Sequence, residues 1–136
     1  MSVLAGNRKE AGIEFLKNAR DIEEKIIRIE INKPKRYGRF LSKLVDYSMD
    51  LLSEVKAGNS IYPSTKLDAD TRQVHFREGI GLCQVLVSQV EVLHDLFGDD
   101  GISIGEVREI AEMIDKEIRL IKGAIASDKE RYKKLK

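Results

Sequence analysis

The clearest feature of the hydrophobic pattern is the stretch 80–97, which has no Lys or Arg and only two acidic residues, Glu91 and Asp95. On a helix, its apolar residues fall at spacings of three and four, which predicts a side facing a core: Ile80, Cys83, Leu86, Val87, Val90, Leu93 and Phe97. A second apolar stripe remains, formed by Leu82, Val85, Val92 and Leu96. We therefore expect this helix to be either central in a bundle or covered by another subunit, with the second stripe as an oligomer interface.

The same helical period recurs in three other segments, and the predicted helices are about 8–32, 37–56, 70–97 and 103–127, followed by a basic tail over 128–136. Pro34 ends the first helix because proline cannot donate a helical hydrogen bond. Gly58 and Asn59 are expected to stop the second, and the segment from 58 to 70 is then the one long connection. Ser103 with Glu106 three residues later predicts a capping box.

Side-chain patterns within these helices complete the predicted fold. In the second helix, Phe40 belongs to the inward stripe, and in the fourth the acidic residues face solvent, namely Glu109, Glu112, Asp115 and Glu117. No segment shows the alternation of a β-strand. We predict a single all-α domain over 1–136, an up-down-up-down four-helix bundle.

Composition limits the classes of function. The balance of 24 basic and 23 acidic residues argues against a protein whose whole surface binds nucleic acid, although local patches are compatible with it. Cys83 is the single cysteine and lies in the apolar helix, which indicates a buried residue in a reducing cytoplasm. Because no run of eighteen apolar residues and no secretory signal is found, we expect a cytoplasmic protein with no membrane partner.

Residues suited to catalysis or metal binding are few. His75 and His94 are nineteen residues apart without a second ligand nearby, and the Glu91-x-x-His94 spacing of bundle di-iron sites occurs only once. No glycine-rich phosphate loop and no Ser-His-Asp arrangement is evident. We therefore expect a non-enzymatic protein without catalytic residues, metal or cofactor.

Two clusters of basic residues remain as candidate sites. The first lies between positions 32 and 45, without an acidic residue, and comprises Lys33, Lys35, Arg36, Arg39 and Lys43. The second, at the opposite end of the predicted bundle, comprises Arg72, Arg77, Arg131, Lys133 and Lys134. Each is either a solvated helix end or a contact surface for nucleic-acid phosphates. Tyr37 and Tyr132 lie within the clusters and either stack on unpaired bases or belong to the core and its rim.

The segment Pro34-Lys35-Arg36-Tyr37-Gly38, followed by Phe40-Leu41-Ser42-Lys43-Leu44, resembles a family of bacterial four-helix bundles. The end of the third helix, Leu93-His94-Asp95-Leu96-Phe97, also fits that family. It includes the 23S rRNA intervening-sequence proteins and the accessory variability determinant of diversity-generating retroelements. The resemblance implies a non-enzymatic, ring-like homopentamer. In the retroelement branch it also implies binding of a reverse transcriptase and of RNA or DNA.

The sequence therefore leads to two hypotheses about function. The first is an accessory protein of a diversity-generating retroelement, which binds nucleic acid through the first basic cluster, with the second cluster as second choice. The alternative is a bundle of the 23S rRNA intervening-sequence type, or a purely structural interaction module that does not bind nucleic acid.

Overall fold

The computed structural model describes the backbone of residues 3–136 and the side chains of residues 14–136. Four long helices make up most of the chain: α1 (Val3–Asn32), α2 (Gly38–Ser60), α3 (Lys66–Phe97) and α4 (Ile104–Arg131). Short 3-10 turns, Lys35–Tyr37 and Gly98–Asp100, precede α2 and α4. Residues 3–136 contain no strand, so the prediction of an all-α fold is confirmed.

Contacts between helices define an up-down-up-down arrangement. Near the end of α1, Lys33 pairs with Glu106 in the first turn of α4, so these two helices are antiparallel. At the start of α2, Phe40 packs on Phe97 at the end of α3, which makes α2 and α3 antiparallel as well. Phe76 of α3 packs edge-on against Phe15 of α1, with ring centroids 5.6 Å apart. Each helix thus runs opposite to its neighbours in the chain.

The core contains most of the apolar side chains that the helical period places inward. On α3, the buried members of the predicted stripe are Cys83, Leu86, Val90 and Leu93, while Ile80, Val87 and Phe97 are partly buried against them. Burial raises the pKa of the Cys83 thiol to about 12, and the nearby Glu117 carboxyl raises it further. The thiol therefore stays protonated, as expected for a core residue.

The connection between α2 and α3 is shorter than the sequence predicted. The α2 helix continues to Ser60, and α3 begins at Lys66 because the Thr65 hydroxyl accepts a hydrogen bond from the Asp68 amide at 3.1 Å. The prediction that Gly58 stops α2 was wrong. A Cβ at Gly58 would lie 2.7 Å from Cε1 of Phe76, so the glycine allows a close approach of α3 within the helix.

One buried carboxyl contradicts the predicted outward face of α4. Glu117 is fully buried, and Asn18 of α1 donates a hydrogen bond from Nδ2 to its Oε1 at 3.1 Å. Asn18 also donates to the Met113 carbonyl at 2.9 Å, and Oε2 of Glu117 has no hydrogen-bond partner among the described residues. The low polarity around this carboxyl raises its pKa to about 7.

The predicted capping box at the start of α4 is confirmed and gives a first testable result. The Ser103 hydroxyl accepts from the Glu106 amide at 3.1 Å, and Glu106 Oε1 accepts from the Ser103 amide at 2.8 Å. Ser103→Ala is expected to lower the free energy of unfolding by about 1 kcal/mol because it leaves an amide of the first turn unpaired. Urea denaturation measures this loss. Ser127→Ala, at an exposed site near the end of the same helix, is the control; equal losses in both variants would contradict the capping role.

Candidate nucleic-acid interface

The first basic cluster lies where α1 ends and α2 begins, beside the acidic turn that precedes α4. Lys33 is largely buried, and its Nζ lies 2.7 Å from Glu106 Oε1. The Arg36 guanidinium lies 2.7 Å from Asp100 Oδ2 and 4.7 Å from the centroid of the Tyr37 ring. Two of the five cations are therefore neutralised by acidic residues that lie far away in the sequence. The segment itself contains no acidic residue, so the partners of Lys33 and Arg36 become evident only in the folded structure.

Three cations of this cluster keep their charge exposed to solvent. Lys35, Arg39 and Lys43 are exposed and form no ion pair with the described residues. Arg39 and Lys43 are four residues apart on α2, so they lie on the same face of the helix. We call these three residues the α2 surface; it is the part of the first cluster that can contact phosphates directly.

The aromatic residue beside the α2 surface differs from the one suggested by the sequence. Tyr37 is only 9% exposed and packs against Phe97, with ring centroids 5.0 Å apart, so of its two predicted alternatives it takes the position in the core. Phe40, predicted to lie in the core, is 40% exposed and lies 5.1 Å from Phe97. The Arg39 guanidinium lies over the Phe40 ring at 5.5 Å. Phe40 lies at the edge of the apolar stripe, where the helical period alone does not separate buried from exposed positions.

In the second cluster, Arg72 has a structural role. Its Nε lies 2.6 Å from Asp128 Oδ2, and Nη1 donates to the carbonyl oxygens of Gly58 and Ile61 at 3.2 and 3.1 Å. The guanidinium also lies 4.8 Å from the centroid of the Phe76 ring. Arg72 therefore joins α3 to α4 and to the end of α2. We leave it out of the candidate interface because these internal acceptors use its donors.

The remaining cations of the second cluster are exposed at the opposite end of the bundle from the α2 surface. Arg77, Arg131 and Lys134 are exposed, and Lys133 lies 2.6 Å from Glu130. After α4 the chain folds back, so that the Lys66 amide donates to the Lys136 carbonyl at 3.1 Å.

A cleft of ≈ 320 Å³ lies between the start of α3 and the folded-back end of the chain. Tyr132 lines it and is partly buried. The charges around it have both signs, since Lys66, Lys129 and Lys133 are accompanied by Asp70 and Asp128. This mixture of charges favours the α2 surface as the phosphate-binding candidate.

The two histidines form hydrogen bonds within the bundle. His94 donates from Nδ1 to the Ile102 carbonyl at 2.7 Å, and His75 Nδ1 lies 2.8 Å from Glu54 Oε2. Glu91, the other half of the spacing noted in the sequence, is exposed. Among the described residues, no group of three His, Cys, Asp or Glu side chains is placed to hold a metal ion.

The predicted oligomer interface lies on the outer side of α3. Val85, Val92 and Leu96 are exposed and Leu82 is partly buried. By length and composition, the segment 66–100 is apolar enough to cross a membrane, a property it shares with core helices of water-soluble proteins. The prediction that no segment is apolar enough to span a membrane was therefore wrong for α3 by this measure. In its most apolar window 22% of the residues are fully buried, and Val85, Val92 and Leu96 are the apolar side chains left exposed.

No family model, no curated protein and no solved structure matches this chain. The structure therefore defines the class of protein at the level of its architecture, an all-helical four-helix fold. The resemblance to the retroelement and intervening-sequence proteins stays a prediction.

Proposed function

We propose that this protein is a non-enzymatic accessory protein that binds nucleic acid through the α2 surface and self-associates through the outer side of α3. The observation that supports the first part is the group of three exposed cations, Lys35, Arg39 and Lys43, without acidic partners among the described residues. One of them, Arg39, lies with its guanidinium over Phe40, an exposed aromatic ring. Cations that bind phosphates beside an aromatic ring that stacks on bases are typical of surfaces that bind single strands.

The charge of the α2 surface sets the expected strength of binding. Three phosphate contacts on a single strand give a decrease of roughly two decades in affinity for each tenfold rise in salt concentration. Binding should therefore be measurable at low salt and weak at physiological salt for one subunit. An oligomer that presents several such surfaces to one strand gains avidity without any new contact.

The resemblance supplies the more specific parts of the proposal. It identifies a reverse transcriptase as the protein partner, RNA or DNA as the ligand, a diversity-generating retroelement as the setting and a homopentamer as the assembly. These parts rest on the Pro34–Gly38 segment and the helical pattern. Lys35 of the α2 surface lies within that segment, and Arg39 and Lys43 follow it.

The test of the α2 surface is the double variant Lys35→Glu with Arg39→Glu. We expect it to weaken binding of a single-stranded RNA at low salt by at least about tenfold and to reduce the salt dependence, because two phosphate contacts become repulsive. A fluorescence-anisotropy titration at two salt concentrations measures both effects. Lys56→Glu with Lys122→Glu makes the same change of charge at exposed sites elsewhere on α2 and α4. Equal affinities of the two double variants would refute the assignment.

A second candidate function is a structural interaction module of the intervening-sequence type without nucleic-acid contact. The ion pairs Lys33–Glu106 and Arg36–Asp100 favour it, because they show cations used to hold this end of the bundle together. If the wild-type protein binds neither single-stranded RNA nor single-stranded DNA at low salt, this candidate replaces the first.

A further inference from the structure

The outer side of α3 carries an apolar line that is longer than the interface predicted from the sequence. Its members follow one another at spacings of seven and four residues, namely Leu67, Val74, Gly81, Val85, Val92 and Leu96. The five side chains of this set are between 38% and 74% exposed. At 1.5 Å per residue, the line extends for roughly 44 Å. We call it the α3 seam.

Gly81 lies in the middle of the seam and is not required by packing within the chain. A Cβ at Gly81 would meet no atom of the described residues within 4 Å, whereas a Cβ at Gly79 would lie 3.3 Å from Val55 Cγ1. A glycine inside a helix lowers its stability by about 1 kcal/mol relative to alanine. The close approach of α2 is a reason for a glycine at position 79. The close approach of a helix from another chain would be the same kind of reason for a glycine at position 81.

Charges along one edge of the seam indicate what that outside helix is. Asp70, Arg77, Gln84 and Glu91 follow at intervals of seven residues, and all four are exposed. In a parallel pair of identical helices, Arg77 would lie beside Arg77 and Glu91 beside Glu91. In an antiparallel pair centred near Gln84, Arg77 of each copy lies opposite Glu91 of the other. Edge charges of this kind determine the partner and orientation of paired helices.

The same antiparallel register also matches the apolar positions in the middle of the seam. It places Val74 in a layer with Val92 of the second copy, and Gly81 in a layer with Val85. Glu78, a charged residue that lies beside the seam between Val74 and Val85, then faces Ser88 of the second copy, which is a hydrogen-bond donor. Two separate patterns, the charged edge and the apolar layers, thus agree on one register.

We propose that the α3 seam binds the α3 seam of a second copy of this chain, antiparallel, about a two-fold axis on the outer side of α3 at the level of residues 83 and 84. The contact is isologous, so the same patch is used by both subunits. The inference deepens the self-association in the proposed function and rests on it. It gives assemblies of even subunit number, and it therefore replaces the homopentamer, which the proposed function takes from the resemblance alone.

The test is a charge exchange across the two-fold axis, measured by sedimentation equilibrium of the full chain. Arg77→Glu alone and Glu91→Arg alone are each expected to raise the dissociation constant of the pair by roughly tenfold, because each places two like-charge contacts at the interface. The double variant Arg77→Glu with Glu91→Arg restores both contacts and returns the constant to within about threefold of wild type. Failure of this rescue overturns the antiparallel register.

A second pair of variants tests the close approach without changing charge. Gly81→Leu is expected to abolish pairing, while Gly123→Leu, at an exposed glycine of α4 with nothing within 4 Å, leaves it unchanged. Circular dichroism checks that both variants keep their helix content. Pairing that survives Gly81→Leu overturns the proposal, because the seam would then not be in contact.

The remaining outcomes separate this inference from the nucleic-acid proposal. A wild-type chain that is monomeric at tens of micromolar, or that has an odd number of subunits, overturns the pairing, whatever the result of the RNA titration. A monomer that cosediments with phosphatidylcholine vesicles would overturn it in favour of a membrane on the seam. A pair with successful charge rescue but no RNA binding supports the pairing and removes only the α2 surface from the proposed function.

Discussion

Asp128→Ala is expected to lower the free energy of unfolding by about 3–5 kcal/mol. The substitution leaves the largely buried Arg72 guanidinium without its carboxylate partner, at a site where Nε and Oδ2 now lie 2.6 Å apart. Arg72 also donates to the carbonyl oxygens of Gly58 and Ile61, so loss of its anchor loosens the end of α2 as well. Denaturation in urea, followed by circular dichroism, measures the effect.

Asp115→Ala is the matched control for this substitution. Asp115 lies on the same helix and also pairs with an arginine, Arg119, but both side chains are about 70% exposed. An exposed ion pair within a helix contributes less than about 1 kcal/mol. If the two alanine variants lose equal stability, burial of the Arg72–Asp128 pair is not what makes it important.

Glu117→Gln is expected to change how stability depends on pH. Burial raises the pKa of Glu117 from 4.5 to about 7, while the Asn18 hydrogen bond and the nearby Lys116 charge oppose this rise. The folded protein therefore holds this proton more tightly than the unfolded chain does. The stabilisation is fully present below pH 4.5 and is lost as the pH rises through about 7, by roughly 3–4 kcal/mol in total. Glutamine is neutral at every pH, so the variant should show a flatter profile and exceed the wild type in stability at pH 8.

Urea denaturation at pH 5, 6, 7 and 8 tests this prediction. The Cys83 thiol, which also lies near Glu117, has a pKa of about 12 and stays neutral over this range. Glu112→Gln, at an exposed position of α4, removes one charge without affecting the buried group and should keep the wild-type profile. A Glu117→Gln profile parallel to that of the wild type would show that this carboxyl titrates normally in the folded protein.

The helices and most of the core followed from the sequence because the periodic placement of apolar side chains is a local property. The stripe of Cys83, Leu86, Val90 and Leu93 is buried as predicted. Ser103 and Glu106 set the start of α4 through contacts within one turn. The predictions were wrong where a residue contacts a helix that is distant in the sequence. The Phe76 ring fills the space where a side chain at position 58 would lie, so Gly58 allows α3 to approach and does not end α2.

The candidate site shows the same division more strongly. The sequence showed five cations between positions 33 and 43, but only three of them form the α2 surface. The acidic partners of Lys33 and Arg36 come from the other side of the bundle. Phe40 was assigned to the core because it follows the spacing of the inward stripe. It lies at the boundary of that stripe, where exposure depends on how far α3 covers the ring.

By itself, the sequence determined the all-α class, the order of the four helices and which side of each helix is apolar, because these depend on residues within one or two turns. Only the tertiary structure decided that Glu117 lies beside Asn18, that Arg72 pairs with Asp128, and that the side chains of the α3 seam stay exposed among the residues that the structure describes. Each of these depends on the distance between residues far apart in the chain, and that distance is set by how whole helices pack against one another.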